Sequence, residues 1–202
     1  MPEMSAILLS AGKSTRMGRL KALIPWQDAT LIEYQVKSLL SAGVSEVVVV
    51  GGHRSDEVLS QVSEQVNVSV VYNPDYYQGK TTSIKLGLNN LSDESSGILV
   101  LAVDQPRPIS LLRMLILAHF NAGKPITMPV YNGHSGHPIL FSSSLLPELK
   151  QIAEESEGLR AISRKYRDEM NLVNVDSGIV NVDLNSPNDV ANAKELFDSY
   201  NR

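Results

Sequence analysis

Ser5-Ala6-Ile7-Leu8-Leu9-Ser10-Ala11-Gly12-Lys13-Ser14-Thr15-Arg16-Met17-Gly18-Arg19-Leu20-Lys21 is the stretch on which the fold is read. Ser5–Leu9 is a short apolar run without alternation, the pattern of a strand covered on both faces. The residues that follow hold two glycines and four cations: Lys13, Arg16, Arg19 and Lys21. Such a loop lies at the carboxyl end of its strand, the edge at which open α/β sheets bind ligands. Glycines let backbone N–H groups approach oxygen atoms, and arginine binds them in pairs, so a polyphosphate is the ligand this chemistry suits.

Outward from that strand the pattern keeps alternating. Thr30 and Glu33 form a capping box, followed by Ile32, Val36, Leu39 and Leu40 on one helical face and Gly43 as a stop. Glu46–Val50, Val68–Tyr72 and Gly97–Val103 read as strands, separated by helices near residues 56–64 and 81–91. Another helix is expected over Ile109–Asn121. Strands alternating with helices imply right-handed βαβ units and a doubly wound, Rossmann-like, mostly parallel sheet. Beyond residue 120, Ile126–Val130 and Pro138–Phe141 flank a glycine-rich turn and read as an antiparallel extension, joining the sheet or forming a small lobe. Helices are expected near 144–153 and 158–166, strands at Leu172–Val175 and Ile179–Leu184. Ser186 and Pro187 then start a last helix. No linker divides the chain, so residues 1–202 read as one domain: 1–120 for nucleotide, 121–202 for acceptor and closing elements.

Composition removes several function classes. Across 202 residues, 18 Lys and Arg stand against 22 Asp and Glu, a net charge of −4 that suits neither nucleic acid nor an anionic membrane. The absence of cysteine excludes disulfides, thiolate metal sites and cysteine nucleophiles. Apolar runs such as Ile98–Val103 fall far short of the roughly 20 residues a membrane span needs. An acid rather than a basic cluster precedes the first apolar run, which argues against a signal peptide; the cytoplasm is the expected location. Familiar motifs also fail by spacing. A P-loop would need glycine at Ile7, a dinucleotide fingerprint would need it at Ser14, and no GxSxG elbow exists.

Asp104, directly after the Gly97–Val103 strand, reads either as an oxygen ligand for Mg²⁺ or as a cap of the next helix. Tyr76, Tyr77 and Trp26 read as stacking or packing residues, Gly51-Gly52-His53 as a tight turn, and His119 as structural. His134 and His137 have no cysteine or nearby carboxylate to complete a zinc site.

The loop LSAGKSTRMGRLK resembles the signature LAAGxSxRMGxxK of the MobA-like nucleotidyltransferase family, which includes the molybdenum cofactor cytidylyl- and guanylyltransferases. Leu9, Ala11, Gly12, Ser14, Arg16, Met17, Gly18 and Lys21 match, and Ser10 replaces an alanine. LAVDQP around Asp104 resembles the family's metal motif, NPDYYQGKTTSIKLGL its base and ribose segment, GHSGHPI its acceptor-facing GxxGHP, and DLNSPND its closing DIDTPED. The resemblance implies the nucleotide-diphospho-sugar transferase fold, with nucleotide contacts from Leu9, Ala11, Gly12, Arg16, Lys21, Gly79 and Ser83. It implies that Arg16 holds the triphosphate, Lys21 neutralises the reacting phosphate, and Mg²⁺ sits on Asp104 with Asp183 or Asn185. His137 and Pro138 would face the acceptor. The implied reaction moves a nucleoside monophosphate, CMP by the Ala11 pattern, from NTP to a phosphorylated pterin, with a recipient molybdoenzyme downstream. Alternatives are guanylyl transfer from GTP, a non-catalytic nucleotide-binding module, and, on the sheet pattern alone, a nicotinamide-dependent oxidoreductase. One departure concerns the acceptor: where relatives carry GDxGAR, this chain has Ser156-Glu157-Gly158-Leu159-Arg160.

Overall fold

The strand that opens the chain is Met4–Ser10 (β1), every residue of it buried. A computed structural model describes residues 2–200, the side chain of Arg16 excepted. After β1 come a small ribbon, Pro25–Trp26 (β2) and Ala29–Thr30 (β3), then helix Leu31–Ala42 (α1). The Thr30–Glu33 capping box is formed in both directions and Gly43 closes the helix in a left-handed conformation, as the sequence predicts. Next come Glu46–Gly51 (β4), Ser55–Leu59 (α2), Val68–Tyr72 (β5), Lys80–Asn89 (α3), Gly97–Ala102 (β6) and Ile109–Ala122 (α4). The later part holds Ile126–Tyr131 (β7), His134–Ser135 (β8), Ile139–Ser142 (β9), Leu146–Leu149 (α5), Leu159–Lys165 (α6), Met170–Asn174 (β10) and Pro187–Tyr200 (α7).

The sheet runs β10-β7-β9-β6-β1-β4-β5, with β8 paired to β7. β1 pairs in parallel with β4 on one side and β6 on the other, so the strand order reverses beside it. That reversal opens a crevice at the carboxyl ends of these strands. The two apolar faces have different partners. Leu8, Val47, Val49 and Leu99 pack in one core with α1, α4 and α7; Ile7, Val48, Val50 and Ile98 pack in the other with α3, α5 and α6. The doubly wound architecture follows from strands that are apolar on both sides.

The antiparallel extension joins the main sheet instead of forming a lobe. β9 inserts between β6 and β7, antiparallel to both, and β10 continues in parallel beyond β7. Three expectations are corrected. Ile179–Leu184 is not a strand: Gly178–Asn181 is one turn of 3-10 helix, and Ile179 and Val180 are fully buried within it. An apolar run cannot by itself distinguish a strand from a buried turn. The helix near 56–64 stops at Leu59, and the one near 144–153 shrinks to Leu146–Leu149 after a 3-10 turn.

Candidate active site

The cleft at the sheet's switch point has a volume of about 530 Å³. Leu9, Ala11, Gly12, Lys21, Gly79, Ser83, Asp104 and Asp183 all line it, so the structure gathers these sequence candidates in one place. His137 and Pro138 are not among its lining residues. The side chain of Arg16 lies outside the described part.

One wall is the loop after β1. Ser14 takes a left-handed conformation, its carbonyl accepts from Met17 N–H, and its hydroxyl accepts from Lys21 N–H at 3.1 Å. The chain thereby curls back and delivers Lys21 to the mouth of β1. Behind it, Ala11 O accepts from His53 N–H. A Cβ on Gly52 would stand 2.8 Å from Ala11 O and from the Tyr76 Cβ, so only glycine lets β4 come this close. Gly52 therefore gives close approach at the entry to the turn formed by His53 and Arg54. At the floor, the Ser10 hydroxyl is buried and has no hydrogen-bond partner among the described residues. Tyr76 and Tyr77 line the same side, with Tyr77 exposed; Trp26 instead packs in the core against Phe197.

The N-terminus of α3 completes this wall. Gly79 has φ 127°, and Ser83 is buried, its hydroxyl accepting from Asn73 Nδ2 at 2.8 Å. Glu154 reaches in from far along the chain. Its carboxylate accepts from Thr81 N–H at 3.0 Å and from the Thr81 hydroxyl at 2.6 Å. Those bonds, the hydroxyl's first, hold its pKa below the ordinary glutamate value. Glu154 lies just before the divergent segment and holds the start of α3 through Thr81; Glu157, within that segment, pairs with Arg164 on the surface.

The opposite wall is acidic. The Lys21 ammonium donates to Asp104 Oδ2 at 2.6 Å and to Asn185 Oδ1 at 3.0 Å. Leu184 N–H donates to Asp104 O at 2.8 Å, which lays the 183–185 segment along the end of β6. Gln35, fully buried, supports the turn by donating to the carbonyls of Ala102, Val103 and Gln105. Asp183 has its pKa raised, first by burial and then by the negative charge of Asp104, with Lys21 opposing. Asp189, in the first turn of α7, accepts from the N–H groups of Asn185 and Ser186 and so caps that helix. Two carboxylates and an amide oxygen form a hard-cation donor set, and the ammonium already bound there shows that the seat holds positive charge. These residues fit Mg²⁺, which takes one or two carboxylates and completes its shell with phosphate oxygens and water.

Sequence reasoning misses Arg107. Its side chain is fully buried, and all five N–H donors land on four backbone carbonyls: His137, Pro106, Val180 and Val182. It ties together the turn after Asp104, the His137–Pro138 segment and the 3-10 turn with the residues that lead from it to Asp183. Burial lowers its pKa to about 9, and the charges of Asp183 and Asp104 oppose that fall, so it stays protonated near neutral pH. The only sequence signal is an arginine in an otherwise apolar context after DQP. His137 is neutral near pH 7. Burial pushes its pKa down to about 4, and the positive charges of Arg107, Lys80 and Arg160 add to the effect.

The family model for the MobA-like NTP transferase domain matches residues 6–170. The chain belongs to that family. It is 29% identical to molybdenum cofactor cytidylyltransferase of Escherichia coli over 202 residues, covering 98% of each. It is also 28% identical over 174 residues to nicotine blue oxidoreductase of Paenarthrobacter nicotinovorans, covering 82% of this chain and 83% of that one. Among solved structures, a nucleotidyl transferase from Methanothermobacter thermautotroptrophicus superposes with a TM-score of 0.81 at 25% identity, covering 98% of this chain and 99% of that one. The chain has the nucleotide-diphospho-sugar transferase fold, which it shares with that solved structure.

Proposed function

We propose that this protein transfers CMP from CTP to a phosphorylated pterin acceptor and releases pyrophosphate, in the cytoplasm and with Mg²⁺. The observation that carries the reading is the convergence of Lys21, Asp104, Asp183 and Asn185 opposite a glycine-containing loop in one cleft. An acceptor phosphate oxygen forms the new bond to the α-phosphorus. The bond from that phosphorus to the β-phosphate bridging oxygen breaks, and its electron pair leaves with pyrophosphate. The acceptor phosphate is already ionised near pH 7, so no side-chain base or nucleophile is required. Catalysis is then positioning and charge neutralisation.

Leu9, Ala11, Gly12, Gly79 and Ser83 hold the nucleoside end. Lys21 neutralises the α-phosphoryl oxygens, and Arg16 the leaving pyrophosphate. Asp104 and Asp183, with Asn185, would hold Mg²⁺, which supplies Lewis-acid stabilisation of phosphate charge. By the family resemblance His137 and Pro138 would face the acceptor, from outside the residues that line the cleft. Ala11 favours CTP through its family resemblance; GTP is the alternative nucleotide. Residues 1–120 serve the nucleotide and 121–202 the acceptor, within one domain.

A pyrophosphate-release panel with CTP, GTP, ATP and UTP, each with Mg²⁺ and molybdopterin, tests the reading. Release with CTP that disappears in Asp104→Ala is expected. Equal release by wild type and variant overturns the mechanism. The oxidoreductase relative makes a parallel arm decisive: nicotinamide-cofactor binding without any pyrophosphate release overturns nucleotidyl transfer itself.

A further inference from the structure

Lys21 is assigned above to a phosphate, yet its ammonium rests on the acidic wall. It donates to Asp104 Oδ2 at 2.6 Å and to Asn185 Oδ1 at 3.0 Å. The pair is largely shielded, with the side chains 13% and 23% exposed. A pair in that environment is screened less than a surface one and must be broken before another cation takes its place. Asp183 also faces this point, through its interactions with Asp104 and Asn185. The ammonium thus touches two of the three side chains that would hold a divalent ion.

We propose that Lys21 is the resident cation of this seat and competes directly with the divalent metal for Asp104 and Asn185. The inference rests on the transferase reading for the identity of the seat and adds a second role for the lysine. Its consequence follows from chain connectivity. Lys21 N–H is bonded to the hydroxyl of Ser14, in the loop whose cations and glycines suit phosphates. The segment that receives the phosphates therefore also carries the competing charge. Phosphate oxygens arriving at the loop offer the ammonium a new partner, and the oxygens of Asp104 and Asn185 are freed in the same movement. Metal affinity is then low until nucleotide is present, and the two ligands reinforce one another reciprocally.

The test uses Mn²⁺ as the probe and the full chain without nucleotide, with free Mn²⁺ read by electron paramagnetic resonance. Lys21→Met removes the competitor while keeping the length of the side chain. It is expected to bind Mn²⁺ about fivefold more tightly than wild type, the scale set by loss of one partly shielded ion pair. Lys21→Gln, which keeps a polar tip, gives the same direction if one variant folds poorly. Lys21→Met with Asp104→Asn should lose the gain. Unchanged or weaker Mn²⁺ binding in folded Lys21→Met and Lys21→Gln overturns the proposal. So does a gain that survives Asp104→Asn, because the extra metal then sits elsewhere. No turnover enters this readout. A chain that binds Mn²⁺ as expected but releases no pyrophosphate overturns the transferase reading alone.

Discussion

The two walls of the cleft are built differently. The loop at the heart of the glycine-loop wall is one continuous piece of chain, with Ser14 bonding Met17 and Lys21 only a few residues away, and Gly52 and the start of α3 pack onto it. The acidic wall is assembled from remote segments. Arg107 reaches His137, 30 residues on, and Val180 and Val182, 73 and 75 residues on. Locally determined geometry survives as a motif that can be recognised letter by letter. Assembled geometry depends on a buried connector whose own identity carries no motif. The first wall should therefore fail through its own residues, and the second through residues that never touch a ligand.

The largest expected effect is on the acidic wall's own chemistry. Asp104→Ala should lower pyrophosphate release by about 10³-fold or more, the scale of losing a charge-stabilising group or a metal ligand. Its thermal midpoint should stay near that of wild type, because loss of the ion pair with Lys21 is offset by relief of the repulsion between Asp104 and Asp183. A comparable fall in stability would make Asp104 a structural residue instead.

Arg107→Met is the next largest and should act through the fold. Four carbonyls lose their donors and a buried charge disappears, at a cost of about 3–5 kcal/mol. Urea denaturation reads this directly. Below the unfolding range the variant should bind nucleotide almost as wild type does, since the Arg107 side chain bonds only His137, Pro106, Val180 and Val182 among the described residues. Equal weakening of both walls would show that they are one cooperative unit.

Gly52→Ala probes the glycine-loop wall in the same way. The new Cβ meets Ala11 O at 2.8 Å, a contact with backbone that cannot rotate away. A loss of about 1–3 kcal/mol is expected, the usual range for overpacking. The Michaelis constant for the nucleotide should rise with it, while Mn²⁺ binding stays the same. A variant with unchanged nucleotide affinity would show that the Ala11 carbonyl has room to move.

The contrast between the walls also explains how much of the molecule is legible in its sequence. The β1 strand, the capping box at Thr30 and Glu33, and the loop candidates are legible because each is a local pattern. Asp104 is legible as a carboxylate following a buried strand. The β9 insertion is only half legible: a hairpin signal gives pairing between neighbours and leaves open which older strand receives it. The strand expected at Ile179–Leu184 fails because burial by tertiary contacts produces the same apolar run in a 3-10 turn. Arg107 and Glu154 escape notice, and Gly52 is noticed only as part of a turn, for one shared reason. Each matters through an atom brought near by folding, across 30 to 75 residues for Arg107 and 73 for Glu154.

Glu154 supplies the smallest predicted effect and the one that joins the two regions. It belongs to the later part of the chain, yet it caps α3 on the nucleotide side through Thr81. Glu154→Ala should cost about 1 kcal/mol, the usual value of a lost N-terminal cap. It should speed amide exchange in the first turn of α3. The acid's pKa is lowered in the folded chain by its bonds to Thr81, so the sign of its pH dependence is fixed. Its contribution is present above the unfolded glutamate value and is lost as pH falls through the lower folded one. His137 adds a second slope in a different window. Its folded pKa of about 4 lies below the ordinary histidine value, so its contribution is complete above roughly pH 6.5 and declines as pH falls toward 4. Thermal midpoints measured from pH 7 down to 3 separate the two. His137→Gln should flatten the upper part of the curve, and Glu154→Ala only the acid end. If Glu154→Ala also raises the nucleotide's Michaelis constant, the cap transmits the position of the later segment to Gly79 and Ser83. If stability falls and that constant does not move, the nucleotide wall holds its shape without help from the other half.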